Sequence, residues 1–385
     1  MRVKGALAHG VGKDWSVEEF ELGEPKPGEV LVRTAFAGLC HSDEHALTGD
    51  MVPPKETLEM FGITEWFPVL GGHEGSGIVE AVGPGVTTVA PGDHVSTSFI
   101  PSCGRCHWCA IGKSNLCDLG AGTLAGGMVT DGTFRHHTAD GKPITAMAKL
   151  GTFAEMMCLA EASVIKVDAD LPLDVVCLVS CGVATGYGSA VNRAGVKPGD
   201  TVVVVGVGGV GANAVQGARA AGATNIVAVD PVEFKREKAM EFGATHTVAS
   251  LEQAMPMVID LTMGVMADSV ILTPSVLHGD MIQPAVSLVS KGGTVVATAI
   301  APWTQEDVKL NLFELTLFNK QLLGTVFGSG SPRAAIPELL RRYQDGKLKL
   351  DELITKTYPL DEINDGYQDM RDGKNIRGVL DFGVA

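Results

Sequence analysis

The chain has 385 residues, of which 45% are hydrophobic and 19% are charged, and its formal net charge is −15. This length and composition predict a globular protein of two or three domains, and the acidic balance disfavours nucleic acid and anionic membranes as partners. No apolar run approaches the roughly 20 residues of a membrane span, and the amino terminus lacks a signal-peptide core, so a cytoplasmic location is expected.

The first 180 residues contain short runs typical of strands, such as EVLVRTAFAG and GSGIVEAVG, which are broken by glycine and proline. Such strands, separated by frequent turn signals and not by helical segments, favour antiparallel pairing. An irregular and mostly antiparallel β domain is therefore predicted for this part of the chain.

Four of the eight cysteines cluster within residues 101–118, at Cys103, Cys106, Cys109 and Cys117. Four soft thiolates fill the coordination sphere of a tetrahedral zinc ion and leave no position for water or substrate. Such an ion stabilises a loop that has little core of its own. The spacing therefore predicts a structural zinc lobe, with reduced thiols in place of disulfides.

Other residues that could bind a metal are scattered: Cys40 in GLCHSDEH, His73 in GGHEGSG and Cys181 in SCGVATGYG. A catalytic zinc ion needs three protein ligands and an open fourth position, and two thiolates with one imidazole suit that chemistry. A single buried cysteine or histidine is more often part of a core, so spacing alone leaves this site open.

The pattern changes near residue 200, where continuous apolar runs alternate with helical segments. TVVVVG (201–206) and NIVAVD (225–230) are typical of strands buried on both faces of a parallel sheet. HTVA and MVIDL are expected to add further strands, and GGTVVATAI (292–300) and KQLLGTVFG (320–328) to continue the sheet. This alternation predicts a right-handed, doubly wound α/β unit, which an amphipathic helix and a closing strand follow.

A glycine-rich turn, GVGGVG, lies between the first of these strands and a helix. Gly206 permits the tight turn, Gly208 lets a pyrophosphate approach the backbone, and Gly211 lets the helix pack closely on the strand. Gly209 and Val210 complete the turn. A diphosphate is expected at the helix amino terminus, where free N–H groups face it.

An acidic residue stands at the end of the next strand, where a carboxylate can bind both hydroxyls of a ribose. This residue is Asp230, 19 residues beyond Gly211. A carboxylate here repels a 2′-phosphate, so the cofactor is predicted to be NAD and not NADP. Lys235 and Arg236 are near enough in sequence to line the adenosine side, and they weaken this exclusion slightly.

Seven ordered motifs along the whole chain resemble those of the zinc-dependent medium-chain alcohol dehydrogenases. They are CHSDEH (40–45), GGHEGSG (71–77), the four-cysteine lobe, SCGVATGYGSAV (180–191), GVGGVG (206–211), Asp230 and NIRGVLDF (375–382). The resemblance implies a β-rich, GroES-like catalytic domain at 1–182 and 327–385, and a Rossmann NAD-binding domain at 183–326.

The same resemblance implies roles for single residues. Cys40, His73 and Cys181 match the ligands of a catalytic zinc ion, which makes two zinc ions per chain. Glu74 matches a carboxylate that lies close to this ion in the family. Asp43 matches the acid that orients the zinc-bound histidine. His41 and Arg377 match family residues that contact the cofactor pyrophosphate. Thr185 matches a residue that lies beside the nicotinamide.

The implied reaction interconverts an alcohol and an aldehyde or ketone. Zinc promotes loss of the hydroxyl proton, and the nicotinamide accepts the hydride. Ser42 and His45, two and five residues after Cys40, match a relay that carries the proton through the nicotinamide ribose to solvent.

Between Cys40 and His73 lie 32 residues, more than in the common animal and plant members of this family. The extra stretch, GDMVPPKETLEMFGITEWFP, contains one short segment able to form a helix. We expect a lid or channel wall that favours hydrophobic alcohols, because several side chains of the stretch are too apolar to be left in water. These side chains are Met51, Leu58, Met60, Phe61, Trp66 and Phe67.

The insertion and the run GTFAEMMCLAEASVIKVD also resemble a bacterial subgroup, the nicotinoprotein or nitroso-dimethylaniline-dependent alcohol dehydrogenases. In that subgroup NAD is held tightly and recycled in place by an external redox partner, which for some members is the peptide-derived cofactor mycofactocin. The wider family resemblance implies a homodimer or homotetramer formed through the nucleotide-binding domains.

Two other functions stay open at this stage. A thiol-dependent formaldehyde dehydrogenase needs cationic groups near its pocket, and the insertion offers Lys55 but also Glu56, Glu59 and Glu65. A non-catalytic nucleotide-binding protein is the alternative from another class, but it has no reason to keep the metal residues, the relay and the cysteine lobe together.

Overall fold

The structure is a computed structural model that describes residues 1–60, 62–124 and 126–384, so Phe61 of the insertion lies outside the described residues. Its strands are β1 (Arg2–Ala8), β2 (Ser16–Leu22), β3 (Glu29–Gly38), β4 (Val69–Leu70), β5 (Gly75–Val82), β6 (His94–Thr97), β7 (His136–His137), β8 (Thr145–Ala146), β9 (Met156–Ala160), β10 (Val164–Lys166), β11 (Thr201–Val205), β12 (Asn225–Val229), β13 (His246–Val248), β14 (Ala267–Leu272), β15 (Val289–Ala297), β16 (Gln321–Gly324), β17 (Ile354–Pro359) and β18 (Arg377–Asp381). Its α-helices are α1 (His41–Thr48), α2 (Lys55–Met60), α3 (His107–Ala110), α4 (Leu173–Val179), α5 (Gly182–Gly188), α6 (Gly209–Ala220), α7 (Glu233–Phe242), α8 (Leu251–Leu261), α9 (Ile282–Leu288), α10 (Leu312–Leu317), α11 (Pro332–Gln344) and α12 (Ile363–Arg371).

The chain divides into two compact units. Unit 1 comprises Met1–Cys181, Ser331–Gln344 and Leu350–Ala385, and unit 2 comprises Gly182–Gly330 and Asp345–Lys349. Unit 1 contains two sheets, with the strand orders β7-β2-β1-β4-β8 and β10-β6-β5-β3-β18-β17, and β9 also pairs with β3. Most of these pairs are antiparallel, with β4–β8 and β17–β18 as parallel pairs, so the predicted fold class of this unit is confirmed.

Strand β3 organises the larger sheet of unit 1, because its backbone bonds to β5, β9 and β18. Its side chains Val30 and Val32 are fully buried and join a core cluster with residues of β5, β6 and β9. The strand ends at Gly38, two residues before Cys40. The sheet therefore fixes the position of the first cysteine of the scattered set.

Unit 2 is a parallel sheet with the order β13-β12-β11-β14-β15-β16, as the continuous apolar runs predict. Strand β11 is buried along its whole length, since α/β packing covers both of its faces. The strand order reverses between β11 and β14. In such sheets ligands bind beyond the carboxyl ends of the strands at this switch point, and the glycine-rich turn follows β11 directly.

One predicted strand is wrong. MVIDL lies at the end of helix α8, and the strand next to β11 is Ala267–Leu272. The side chain of Ser250 caps the helix by accepting a hydrogen bond from the N–H of Gln253. Ala254 and Val258 then face the core at helical spacing, which a five-residue window could not distinguish from a strand.

No single helix among the described residues is long and apolar enough to cross a membrane, although Leu173–Val179 and Gly182–Ala194 meet that criterion when taken together as a bent pair.

Burial of one histidine predicts a pH-dependent stability. His136 packs edge-on against Phe20, and burial, with the charges of His137 and Arg135, lowers its pKa from 6.5 to about 4. The native state therefore keeps His136 neutral while the unfolded chain takes up a proton, so stability is lost as the pH falls from 6.5 towards about 4.

Urea unfolding of the wild type and of His136→Gln across that pH window checks this expectation. The difference in stability between the two proteins should shift towards the variant as the pH falls, because glutamine does not titrate. A difference that stays constant over the window contradicts it.

Candidate active site and cofactor cradle

Four buried side chains converge in unit 1. Ligand atoms of Cys40, His73, Glu74 and Cys181 all lie within 4.8 Å of one another. Cys40 stands between β3 and α1, His73 and Glu74 stand between β4 and β5, and Cys181 follows α4. The structure therefore brings together the three scattered residues that the resemblance assigns to one ligand set. The carboxylate of Glu74 lies beside them.

Asp43 holds the imidazole of His73. Its Oδ2 lies 2.9 Å from Nδ1 of His73, and its Oδ1 accepts the N–H of Gly72 at 2.9 Å. This contact is an ion pair between the carboxylate and the Nδ1 side of the ring, so Nε2 is the ring nitrogen left for a metal ion. Nε2 of His73 is buried and lacks a hydrogen-bond partner among the described residues.

The protonation states of this cluster are coupled. The Cys181 thiol and the His73 imidazole lower the pKa of the Cys40 thiol well below its ordinary value, despite burial. Hydrogen bonding to Cys40 and burial raise the pKa of Cys181 well above its ordinary value. Burial lowers the pKa of His73, but the charges of Asp43 and Cys40 overcome it and raise that pKa.

Glu74 forms a fully buried ion pair with Arg377. Nη1 of Arg377 lies 3.2 Å from Oε1 of Glu74, and Nη2 contacts Oε2. Burial raises the pKa of Glu74 to about 7, against the opposing charge of Arg377. A Cβ atom on Gly38 would lie 2.2 Å from Oε2 of Glu74 and 2.7 Å from Nη2 of Arg377, so glycine is required there.

The two relay candidates lie on helix α1, one turn apart. The sulfur of Cys40 lies 3.6 Å from the hydroxyl oxygen of Ser42. His45 follows at the i+3 position, on the same side of the helix, and its side chain is only 4% exposed. His41 begins this helix.

The cysteine lobe forms a second cluster of donors in unit 1. All four sulfurs lie within 4.8 Å of one another, and the pairs Cys103–Cys109 and Cys106–Cys117 are each 3.9 Å apart. Thiolates at tetrahedral zinc lie about 3.8 Å apart. Burial opposes ionisation of Cys103, but the N–H groups of Arg105 and Cys106 lower its pKa to about 6.

In unit 2 the glycine-rich turn has the shape of a phosphate cradle. Gly206 has a φ of +88°, and a Cβ atom there would lie 2.5 Å from the carbonyl oxygen of Thr273. A Cβ on Gly211 would lie 1.8 Å from the carbonyl oxygen of Gly206, whereas a Cβ on Gly208 would meet no atom within 4 Å. The open space therefore faces Gly208, with Gly209 and Val210 starting helix α6.

Asp230 lies at the carboxyl end of β12, and its carboxylate accepts the N–H groups of Val207 and Val232 at 2.7 and 2.9 Å. Arg236 donates to the backbone carbonyls of Asp230 and Pro231, so its guanidinium lies at this edge. Lys235 lies beside it on helix α7. Elsewhere in the unit, the buried hydroxyl of Thr185 lacks a hydrogen-bond partner among the described residues.

Sequence reasoning missed one wall of the donor cluster. The ring of Phe99 stands edge-on to His73, with ring centroids 5.8 Å apart. Phe99 follows β6, and no motif in the sequence connects it with His73. The pairing of β6 with β5 brings it next to His73.

Comparisons with known proteins agree with this geometry. Residues 26–169 match the family profile described as alcohol dehydrogenase GroES-like domain, and residues 209–345 match zinc-binding dehydrogenase. An NDMA-dependent alcohol dehydrogenase of Amycolatopsis methanolica is 52% identical over 380 residues, which is 99% of each chain. The chain belongs to the zinc-dependent alcohol dehydrogenases. The predicted family and fold class are therefore confirmed.

Solved structures resemble this dehydrogenase over its full length. An alcohol dehydrogenase zinc-binding domain protein from Burkholderia ambifaria is 32% identical with a TM-score of 0.87, and covers 99% of both chains. Benzyl alcohol dehydrogenase from Acinetobacter calcoaceticus is 30% identical, also with a TM-score of 0.87 and 99% coverage. The family makes the chain an oxidoreductase that uses zinc and a nucleotide cofactor on a small alcohol or aldehyde, so the two alternative functions are not favoured.

The contact between Asp43 and His73 predicts a weaker metal site in Asp43→Asn. An amide cannot stabilise the imidazole of His73 as a carboxylate does, and loss of the carboxylate partner of a metal ligand costs roughly 10–100-fold in metal affinity. Competition with a chromogenic chelator measures this loss. Glu44→Gln is the matched control, because Glu44 lies next to Asp43 but pairs with Arg371. Equal zinc retention in both variants contradicts the assigned role.

Proposed function

We propose that the dehydrogenase binds two zinc ions per chain. Cys40, His73 and Cys181 hold the catalytic ion, and the support is a donor set of two thiolates and one imidazole, closely spaced and fully buried. This set leaves a fourth position for substrate. Glu74 stands beside it, already neutralised by Arg377.

The second ion belongs to the lobe at 101–118, where Cys103, Cys106, Cys109 and Cys117 form a closed thiolate set. Their sulfur separations suit tetrahedral zinc, and a four-thiolate sphere offers no position to substrate. This ion is structural.

The reaction we propose is oxidation of a primary, hydrophobic or aromatic alcohol, or its reverse. When bound, zinc supplies Lewis acidity that lowers the pKa of the hydroxyl group, and NAD supplies the hydride acceptor. Phe99 excludes water from the donor cluster on one side. Ser42 receives the hydroxyl proton and His45 passes it on, supported by their succession on one side of α1 next to Cys40.

The insertion at 49–68 is proposed to form a wall of the substrate channel. Met51, Leu58 and Trp66 are buried within unit 1, and the indole N–H of Trp66 donates to the carbonyl of Leu124 at 2.7 Å. Met60, in contrast, is 84% exposed. The name of the solved relative, benzyl alcohol dehydrogenase, supports an aromatic substrate.

Unit 2 is proposed to hold NAD through residues 183–326. Gly206, Gly208 and Gly211 provide the open cradle, and Asp230 provides a buried carboxylate for the ribose, which disfavours NADP. Within the same unit, Lys235 is proposed on the adenosine side and Thr185 beside the nicotinamide.

We further propose that this NAD stays bound through many turnovers and is reoxidised by an external acceptor. The support is the 52% identity to a relative whose name states dependence on NDMA. All eight cysteines are free and lie in the two donor clusters or the core of unit 1, which fits a reducing, cytoplasmic location.

Addition of benzyl alcohol to desalted protein, without added NAD, tests the resident cofactor. We expect one equivalent of reduced nicotinamide per active site, which an artificial acceptor such as NDMA reoxidises so that turnover continues. If absorbance changes only when free NAD is supplied, and NADH then accumulates, the cofactor exchanges and this part of the proposal is wrong.

We also propose a homo-oligomer whose subunits meet at the β16 edge of unit 2. Strand β16 closes the sheet on one side, and neighbouring helix α10 exposes Leu312, Phe313 and Leu317 by more than 60% each. Edge strands with apolar surroundings pair readily with another copy. Lys320 holds α10 in place through its ion pair with Glu314, 2.6 Å long.

Light scattering of Phe313→Glu/Leu317→Glu tests this surface. Burying two carboxylates in an interface is unfavourable, so the variant should have the mass of a smaller assembly. Met263→Glu is the matched control, because Met263 is 94% exposed elsewhere in unit 2. An unchanged mass in the double variant rejects this surface as the interface.

A further inference from the structure

The end of helix α1 folds the chain back onto the proposed relay histidine. Gly49 follows the helix in the left-handed conformation, with a φ of +93°, and its N–H donates to the carbonyl of His45 at 3.1 Å. The N–H of Met51 donates to the same carbonyl at 3.1 Å. Glycine is favoured at such a helix end because it has no Cβ to clash. This reversal carries Asp50, the second residue of the insertion, alongside His45.

The carboxylate of Asp50 contacts the imidazole directly. Its Oδ2 lies 3.0 Å from Nδ1 of His45, and it also accepts the hydroxyl of Thr48 at 2.6 Å. The two partners differ in exposure, with side-chain values of 4% for His45 and 24% for Asp50. The ring is therefore buried, while the carboxylate that holds it reaches the surface.

This contact selects one tautomer of the histidine. A carboxylate only accepts hydrogen bonds, so Nδ1 must carry the proton that points to Asp50. The lone pair of the neutral ring is then on Nε2, the nitrogen that can take up a further proton. A histidine in the other tautomer presents an N–H there and cannot act as a base at that atom.

We propose that Asp50 is a positioning residue of the relay: it fixes the ring and the tautomer of His45 so that Nε2 accepts the proton. This inference rests on the proposed role of His45. It gives Asp50 a task in proton transfer, separate from the channel wall proposed for Met51, Leu58 and Trp66. No motif in the sequence assigns this task to Asp50, which follows the glycine that ends helix α1.

Single-turnover oxidation of benzyl alcohol tests the proposal, with formation of reduced nicotinamide as the signal and the cofactor-loaded protein as the sample. His45→Gln removes the base, Asp50→Ala removes its partner, and the double variant combines both changes. Glu18→Ala is the matched control, since Glu18 contacts the ring of exposed His9 in the same unit.

We expect His45→Gln and Asp50→Ala each to slow hydride transfer. For Asp50→Ala the rate should fall roughly 10–100-fold, the usual cost of losing a partner that orients a ligand or base. The double variant should be no slower than His45→Gln alone, because Asp50 acts only through His45. Glu18→Ala should match the wild type. Nitrogen NMR of histidine-labelled protein should show His45 protonated at Nδ1 in the wild type and a shift towards the other tautomer in Asp50→Ala.

Three results overturn the proposal. If Asp50→Ala keeps the wild-type rate while His45→Gln is slow, the relay stands and Asp50 has no part in it. If the two effects multiply in the double variant, or the tautomer is unchanged in Asp50→Ala, Asp50 acts on stability or elsewhere and not through His45. If His45→Gln itself keeps the wild-type rate, the proposed relay fails and the role of Asp50 fails with it.

Discussion

The structure depends on the burial of ionisable sulfur and nitrogen at one point of unit 1. Cys40, His73 and Cys181 are each no more than 7% exposed, and they come from segments far apart in the chain. The contact with Cys40 raises the pKa of the Cys181 thiol, so holding both sulfurs as thiolates in this interior is unfavourable without a bound cation. The charged groups around this set form ion pairs, Asp43 with His73 and Glu74 with Arg377. The local fold therefore suits a bound cation at this point, in keeping with the catalytic zinc ion that we propose.

Local motifs allowed the most secure predictions from the sequence. The glycine-rich turn and the cysteine lobe each lie within a short stretch, and the backbone alone brings their residues together. Strands β11 and β12 were predicted within a residue or two, since full burial leaves an unbroken apolar run. MVIDL was misread for the same reason, because an apolar run of five residues fits a strand or one side of a helix.

The catalytic donor set could not be derived from spacing, because tertiary packing brings Cys40, His73 and Cys181 together. Resemblance to a family supplied the set, and in the structure the donor atoms lie within 4.8 Å of one another. The residues that surround this set were even harder to predict from the sequence. Phe99 reaches His73 through the pairing of two strands, and Gly38 matters only because Glu74 and Arg377 occupy the space of its missing side chain.

Zinc analysis of the purified wild type and of three serine variants tests the assignment of the two metal sites. We expect two zinc ions per chain in the wild type, and one ion with loss of activity in Cys181→Ser. Cys103→Ser should also retain one ion. Cys177→Ser is the control, because Cys177 is buried near Cys181 but donates to the carbonyl of Asp174, and it should keep both ions. Two zinc ions and full activity in Cys181→Ser would contradict the assignment of the catalytic metal centre.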